Sequence, residues 1–226
     1  MRKLAVVATM CCLFGLTTQA QELRTGVRFG LGSSEFVAPN GSAIPNASSG
    51  IKFEGGLTAN LDVLDFLSLQ GDLLFAVQNG SFRGSDNPTV TSGSQEFSKN
   101  MHALFIELPL MPSLKLQLGN VAFKAFAGPS FMFNVGANYD KVYTNSNYQN
   151  YNETAVKAGA NINSMTIGFT YGVGLDISIS SRGVFFFDLR QANSQSLGTI
   201  QDADGQNIEV KTNNPIVFGI GTRYVL

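Results

Sequence analysis

Residues 163–179 read NSMTIGFTYGVGLDISI. Met165, Ile167, Phe169, Tyr171, Val173, Leu175, Ile177 and Ile179 alternate without a break against Ser164, Thr166, Gly168, Thr170, Gly172, Gly174, Asp176 and Ser178. Strict period two puts one apolar and one polar face on a β-strand. Strands of ordinary globular sheets are mostly about five or six residues long. A run of this length therefore predicts a sheet that crosses a membrane, with Asn163 to about Gly168 standing above the bilayer.

The same period recurs along the chain. Leu23–Leu31, Ile51–Leu61, Leu67–Gln78, His102–Leu110, Val121–Val135, Phe185–Arg190 and Ile216–Leu226 each alternate apolar with small or polar residues, which makes eight strands in all. Long polar segments, 32–50, 79–100, 136–162 and 192–214, follow strands one, three, five and seven. Short connections, 62–66, 113–120 and 180–183, follow strands two, four and six. An up-and-down barrel with both termini at one end produces this rhythm of long and short connections, and outer-membrane barrels place the short turns in the periplasm. The expected fold is all-β: an eight-stranded antiparallel up-and-down transmembrane β-barrel. Pro109 and Pro112 lack an amide hydrogen, so they are expected to end strand four or mark a bulge, and Gly128–Pro129 to interrupt the pairing of strand five.

Composition agrees with strands and turns. The chain has 24 Gly and 18 Phe, no Trp, 14% charged residues and a formal net charge of −1. Gly weakens helices and aromatics favour pleated surfaces. Without a basic field there is nothing to attract nucleic acid, so no nucleic-acid partner is expected. Arg2 and Lys3 followed by an apolar run from Leu4 to Leu16 and the small-residue site before Gln21 read as a signal peptide over 1–20, leaving 21–226 as the barrel domain. Both cysteines, Cys11 and Cys12, lie inside that segment. A chain cleaved after Ala20 would carry no thiol.

Alternation alone would also suit a soluble barrel with an apolar interior. The charges argue against that. Arg24, Arg28, Lys52, Glu54, Asp72, Glu107, Lys124, Asp176, Asp188, Arg190 and Arg223 all fall on the less apolar face of their strands. An Arg or Lys facing lipid at mid-membrane costs about 2–4 kcal/mol, so the charge-free face is expected to meet lipid and the charged face to line the lumen. Eight strands leave room for little more than side chains. Six basic and five acidic residues pairing there, beside glycines such as Gly30, Gly219 and Gly221, predict a plugged barrel and not an open pore.

Candidate chemistry is sparse. His102 is the only histidine and is expected to point toward the lipid interface, an interfacial polar residue more than a catalytic base. Asp202, Asp204, Gly205, Gln206 and Glu209 have the flavour of a calcium loop, but the spacing departs from that pattern and a hairpin turn accounts for the same residues. Tyr139, Tyr143, Tyr148 and Tyr151 could form an adhesive surface or a plain solvated loop. No nucleophile triad, zinc spacing or phosphate loop is present, so the expectation is a non-enzyme with no cofactor and no metal.

Three short motifs carry a resemblance: Phe105-Ile106-Glu107-Leu108-Pro109-Leu110, Ala127-Gly128-Pro129 and Phe187-Asp188-Leu189-Arg190. In order and spacing the chain resembles the PorT-like outer-membrane β-barrel proteins of Bacteroidetes, departing at Gln191, where that family often has Tyr. The end of the chain, Gly221, Tyr224 and Leu226, is similar to the signal read by the barrel assembly machinery. The resemblance implies the bacterial outer membrane and implies no activity. The expected role is structural or interactive, through extracellular loops that meet a protein partner, with a narrow pore for small solutes as the alternative. Outer-membrane lipid and, during biogenesis, the assembly machinery are the other expected partners.

Overall fold

The computed structural model describes residues 22–37, 46–86, 95–144, 152–157, 163–193, 195–201 and 207–226. The amino-terminal segment read as a signal peptide lies outside them. The strands are β1 (Glu22–Val37), β2 (Asn46–Leu64), β3 (Leu67–Asp86), β4 (Gln95–Leu118), β5 (Val121–Thr144), β6 (Asn152–Lys157), β7 (Met165–Ser178), β8 (Gly183–Ala192), β9 (Gln195–Gln201), β10 (Asn207–Thr212) and β11 (Ile216–Val225).

Eight of these make the wall. Neighbours run β1-β2-β3-β4-β5-β7-β8-β11, and β11 pairs back onto β1 from Arg24 opposite Val225 to Gly32 opposite Val217. Every ladder is antiparallel. The expected closed eight-stranded barrel is thus the observed fold. At one end sit the tight turns Asp65–Phe66, Gly119–Asn120 and 179–182. Gly119 takes φ +61° at its turn, a conformation that suits glycine. Ser180 Oγ accepts from the backbone amides of Arg182 (3.3 Å) and Gly183 (2.9 Å), closing the β7–β8 turn. The carboxyl end lies there too, with the Leu226 amide donating to the Leu23 carbonyl at 3.2 Å.

At the other end the strands run past the limits that alternation suggested. β4 and β5 have 24 residues each against 14 in β7, so the run that decides the fold is among the shorter wall strands. The segment 192–214, read as a loop, holds the β9–β10 hairpin. It continues β8 and β11: the register that sets Gln191 opposite Ile216 is the one that sets Gln195 opposite Thr212. The two halves are separated by a break at Asn193 and at 213–215, where Asn214 has φ +36°. β10 also pairs with β1 at Phe36 and Val37. Likewise the segment 136–162 holds the end of β5 and its partner β6. Short, polar hairpins with few apolar residues do not announce themselves by periodicity.

The prolines correct a second expectation. Pro109 and Pro112 neither end β4 nor bulge it. The β4–β5 ladder passes from Pro109 opposite Ser130 directly to Ser113 opposite Phe126 in the same register, so the missing amides leave a gap without a slip. Gly128 and Pro129 lie opposite that gap, yet both remain paired with β7 at Thr170 and Phe169. The segment 113–120, read as a connection, is strand to Leu118.

Faces follow the pattern. Phe29, Phe53, Phe75, Ile167, Val173, Phe218 and their neighbours project outward and are roughly half exposed, while Arg28, Lys52, Asp72, Phe105, Met111 and Phe186 are buried within. The outer edge of the apolar band can be traced strand by strand: Leu31 gives way to Ser33, Val77 to Asn79, Leu104 to His102, Leu189 to Gln191 and Ile216 to Asn214. Val173→Arg would place a cation on this face near mid-wall. The expected loss is ~2–4 kcal/mol in chemical denaturation from lipid vesicles, with Val173→Leu unchanged. Equal stability of the two variants would contradict the outward assignment.

Candidate functional site in the lumen and at the outer rim

Period two sends every second residue of each wall strand inward, and the narrow interior forces those side chains into contact. From β4 around to β3 the inward charges alternate in sign. Lys52 Nζ lies 2.6 Å from Glu107 Oε1 and 3.3 Å from Glu54 Oε2. Arg28 Nη1 pairs with Glu54. Arg28 Nη2 donates to Asp188 Oδ1 at 2.7 Å and its Nε to Oδ2 at 3.3 Å. Arg190 donates to the same carboxylate from Nε and Nη2, both at 3.0 Å, and from Nη1 to Asp72 Oδ2 at 2.5 Å. The chain Glu107, Lys52, Glu54, Arg28, Asp188, Arg190, Asp72 crosses the lumen through β4, β2, β1, β8 and β3.

A second cluster lies nearer the short turns. Lys124 Nζ is 2.7 Å from Asp176 Oδ1, and Arg223 Nη1 is 3.4 Å from Oδ2 of the same group. The Arg223 guanidinium stacks 3.9 Å from the centroid of Phe186, with Lys124 5.7 Å from that ring. Such contacts strengthen when desolvated. At the mouth, Lys115 meets Asp62 at 2.6 Å, and Arg24 meets Glu22 at 2.5 Å and Asp62 at 3.5 Å. The expected pairing across the lumen is therefore present. Each member of the two inner clusters has less than a tenth of its surface exposed.

Glycine clears the space. A Cβ on Gly219 would stand 2.2 Å from Arg28 Nη2 and 2.5 Å from Asp188 Oδ1. One on Gly221 would stand 2.2 Å from the Val27 carbonyl oxygen. The polar members of two resemblance motifs, Glu107 and the Asp188–Arg190 pair, belong to this ion-pair chain. Lys115, Asp62 and Glu22 join the inward charges from segments that alternation places in turns or before the first strand. The signal was available, since Leu114, Leu116 and Leu118 keep alternating against Ser113, Lys115 and Gln117.

The outer rim is built, not loose, where it is described. Asn213 Nδ2 donates to Glu35 Oε2 at 2.6 Å and its amide to the Glu35 carbonyl at 2.9 Å, fixing the base of the β9–β10 hairpin to β1. On the other flank Thr166 Oγ1 donates to the Ser196 carbonyl at 3.1 Å, and the Phe169 amide to Asn193 Oδ1 at 2.6 Å. His102 points outward, its Nδ1 2.8 Å from Asn79 Oδ1. Asp202, Asp204, Gly205, Gln206, Tyr148 and Tyr151 lie outside the described residues; Glu209, Tyr139 and Tyr143 are placed only as backbone in β10 and β5. Among the described residues no three His, Cys, Asp or Glu side chains converge as metal ligands.

A family model described as outer membrane protein beta-barrel domain matches residues 19–197. No curated protein sequence matches the chain. Among solved structures, the outer membrane protein OprG of Pseudomonas aeruginosa aligns with a TM-score of 0.50 at 11% identity, over 92% of this chain and 97% of that one. Ail of Yersinia pestis aligns at 0.35 and 12% identity over 90% and 99%. The outer membrane protease OmpT of Escherichia coli aligns at 0.36 and 9% over 92% and 99%. The likeness to OprG is one of fold.

Asp188→Asn removes the carboxylate that Arg28 and Arg190 share and leaves each buried guanidinium with one acid, Glu54 or Asp72, so it is expected to cost ~3–5 kcal/mol of barrel stability in detergent denaturation. Glu22→Gln, at the part-exposed mouth, should stay within ~0.5 kcal/mol.

Proposed function

The chain belongs to the outer-membrane β-barrel domain family, and from that premise we propose that it is a non-enzymatic barrel that works through its outer hairpins. The bacterial outer membrane is its location. The observation that carries the reading is the alternating ion-pair chain from Glu107 to Asp72, which crosses the lumen with side chains bound to each other and so argues against general solute flow. The part left to meet other molecules is the outer rim. There the base of β9–β10 is held between β1 and β7, which favours an interaction surface because less ordering entropy is lost at an anchored segment when a partner binds.

His102 supports the non-enzymatic reading. It faces outward with an amide oxygen as partner, away from every carboxylate of the lumen. Within the family, we assign the chain to the PorT-like group on Phe105–Leu110, Ala127–Pro129 and Phe187–Arg190. Residues 1–20 are proposed as its signal peptide and Tyr224–Leu226 as the mark read by the assembly machinery.

The test uses the intact chain in its native membrane. A mild-detergent pull-down is expected to recover a protein partner, and to lose it when residues 193–214 are replaced by Asn-Gly between Ala192 and Pro215. Because Gln191 opposite Ile216 already sets the register, the shortened barrel should still show the heat-dependent gel shift of a folded barrel. Planar bilayers should show no porin-sized conductance. Reproducible single-channel events in the wild type would replace this reading with a narrow pore.

A further inference from the structure

The lipid-facing wall is not evenly ridged. In cross-strand register, Leu114, Ala125, Val173, Leu189 and Phe218 form one outward row. Ala127, Tyr171, Gln191 and Ile216 form the next. Between them lies a furrow of about 660 Å³ whose lining begins at Leu67, beside the β2–β3 turn, and ends at Ile216, the last apolar residue before the outer edge. A second furrow of about 600 Å³ adjoins it across Ala125, Val173 and Leu189. Such volumes fall within the ~300–1,000 Å³ of small-molecule sites. Ala125 and Ala127 set the floor, because their neighbours in the rows are larger.

Two observations say what belongs there. The furrow runs obliquely from the inner turn to the outer edge of the apolar band, so a molecule lying in it stays in hydrocarbon along its length. Its outer bank carries Gln191, paired with Tyr171 across the β7–β8 ladder, and both project from the lipid-facing side. An amide and a phenol at one end of an apolar trough match a molecule with a polar head and a long apolar tail. A second barrel fits less well, since a convex wall meets this one along a ridge and does not reach a recessed floor.

We propose that this furrow is a binding site for one acyl chain of a membrane lipid, with Gln191 and Tyr171 hydrogen-bonding the ester or amide region of its head. The site lies outside the lumen and apart from the outer hairpins, so it holds whether or not those hairpins have a protein partner. It would keep one lipid in place beside β5, β7 and β8 while lipids elsewhere around the wall exchange.

The first experiment needs no variant. The barrel is refolded into vesicles of phosphatidylethanolamine carrying a diazirine on one acyl chain and irradiated, and labelled peptides are identified by mass spectrometry. Labelling of β5, β7 and β8 should exceed several-fold that of β1 and β2, whose outer face has a smaller furrow of about 440 Å³; uniform labelling overturns the site. The second compares wild type with Ala125→Phe, which fills the floor with a lipid-compatible side chain, and with Val27→Phe as a control on β1. Lipid retained after detergent washing, counted by native mass spectrometry, should fall about tenfold in the first variant and not in the control. Gln191→Leu serves the same comparison should Ala125→Phe lose the heat-dependent gel shift. Unchanged retention, or a dimer in the wild type that the filling variant abolishes, would overturn the proposal.

Discussion

Lipid cannot hydrogen-bond a peptide group, and this single constraint fixes most of the molecule. A sheet in the bilayer must have no edge. Pairing of β11 with β1 removes it, and the requirement explains why the chain tolerates the amide-free Pro109 and Pro112 only as a gap that leaves the register intact. Closure at eight strands then decides what the inner face can hold. The bore has room for side chains and no more, so large inward residues such as Arg28 and Phe186 need glycines opposite them.

Burying this many charges would be ruinous if any stood alone, and the pattern of sharing answers that. Asp188 accepts from two guanidiniums, and Asp176 faces two cations. The upper chain has four acids and three bases, and the lower cluster one acid and two bases, so the two imbalances of −1 and +1 cancel. Pairs at the mouth, Glu22 and Asp62 with Arg24 and Lys115, add no net charge. Networks of this kind are costly to break at one point, because the abandoned partner stays buried.

Much of this was legible in the sequence. Alternation over residues 163–179 announces the strand, and the segregation of Arg28, Lys52, Asp72 and Arg190 from the apolar set tells inside from outside. That they would pair follows from burial cost; which would pair with which does not. Arg28 and Asp188 are 160 positions apart and meet through closure of the barrel, a long-range fact without a local signal. The prolines carry no local sign of their tolerance, because where a missing amide interrupts one ladder the other neighbour still holds the strand. The β9–β10 hairpin leaves no trace in the alternation because it stands above the bilayer, where no apolar face is demanded and period two loses its amplitude. Nothing in the residues names a partner, since surfaces that meet water vary without cost to the fold.

The seam between β1 and β11 has a consequence for the order in which this molecule can be made. Arg28 leaves the assembly line on the first wall strand, whereas Asp188 arrives on the seventh, and the two touch only across the eighth. Until β11 docks on β1, Arg28 lacks its far partner and the carboxylate holds Arg190 alone. A barrel with its seam unzipped is therefore short of electrostatic closure as well as of backbone pairing, and both deficits vanish in the same step. The ion-pair chain across the seam acts as a latch that favours the final strand's arrival and opposes its departure.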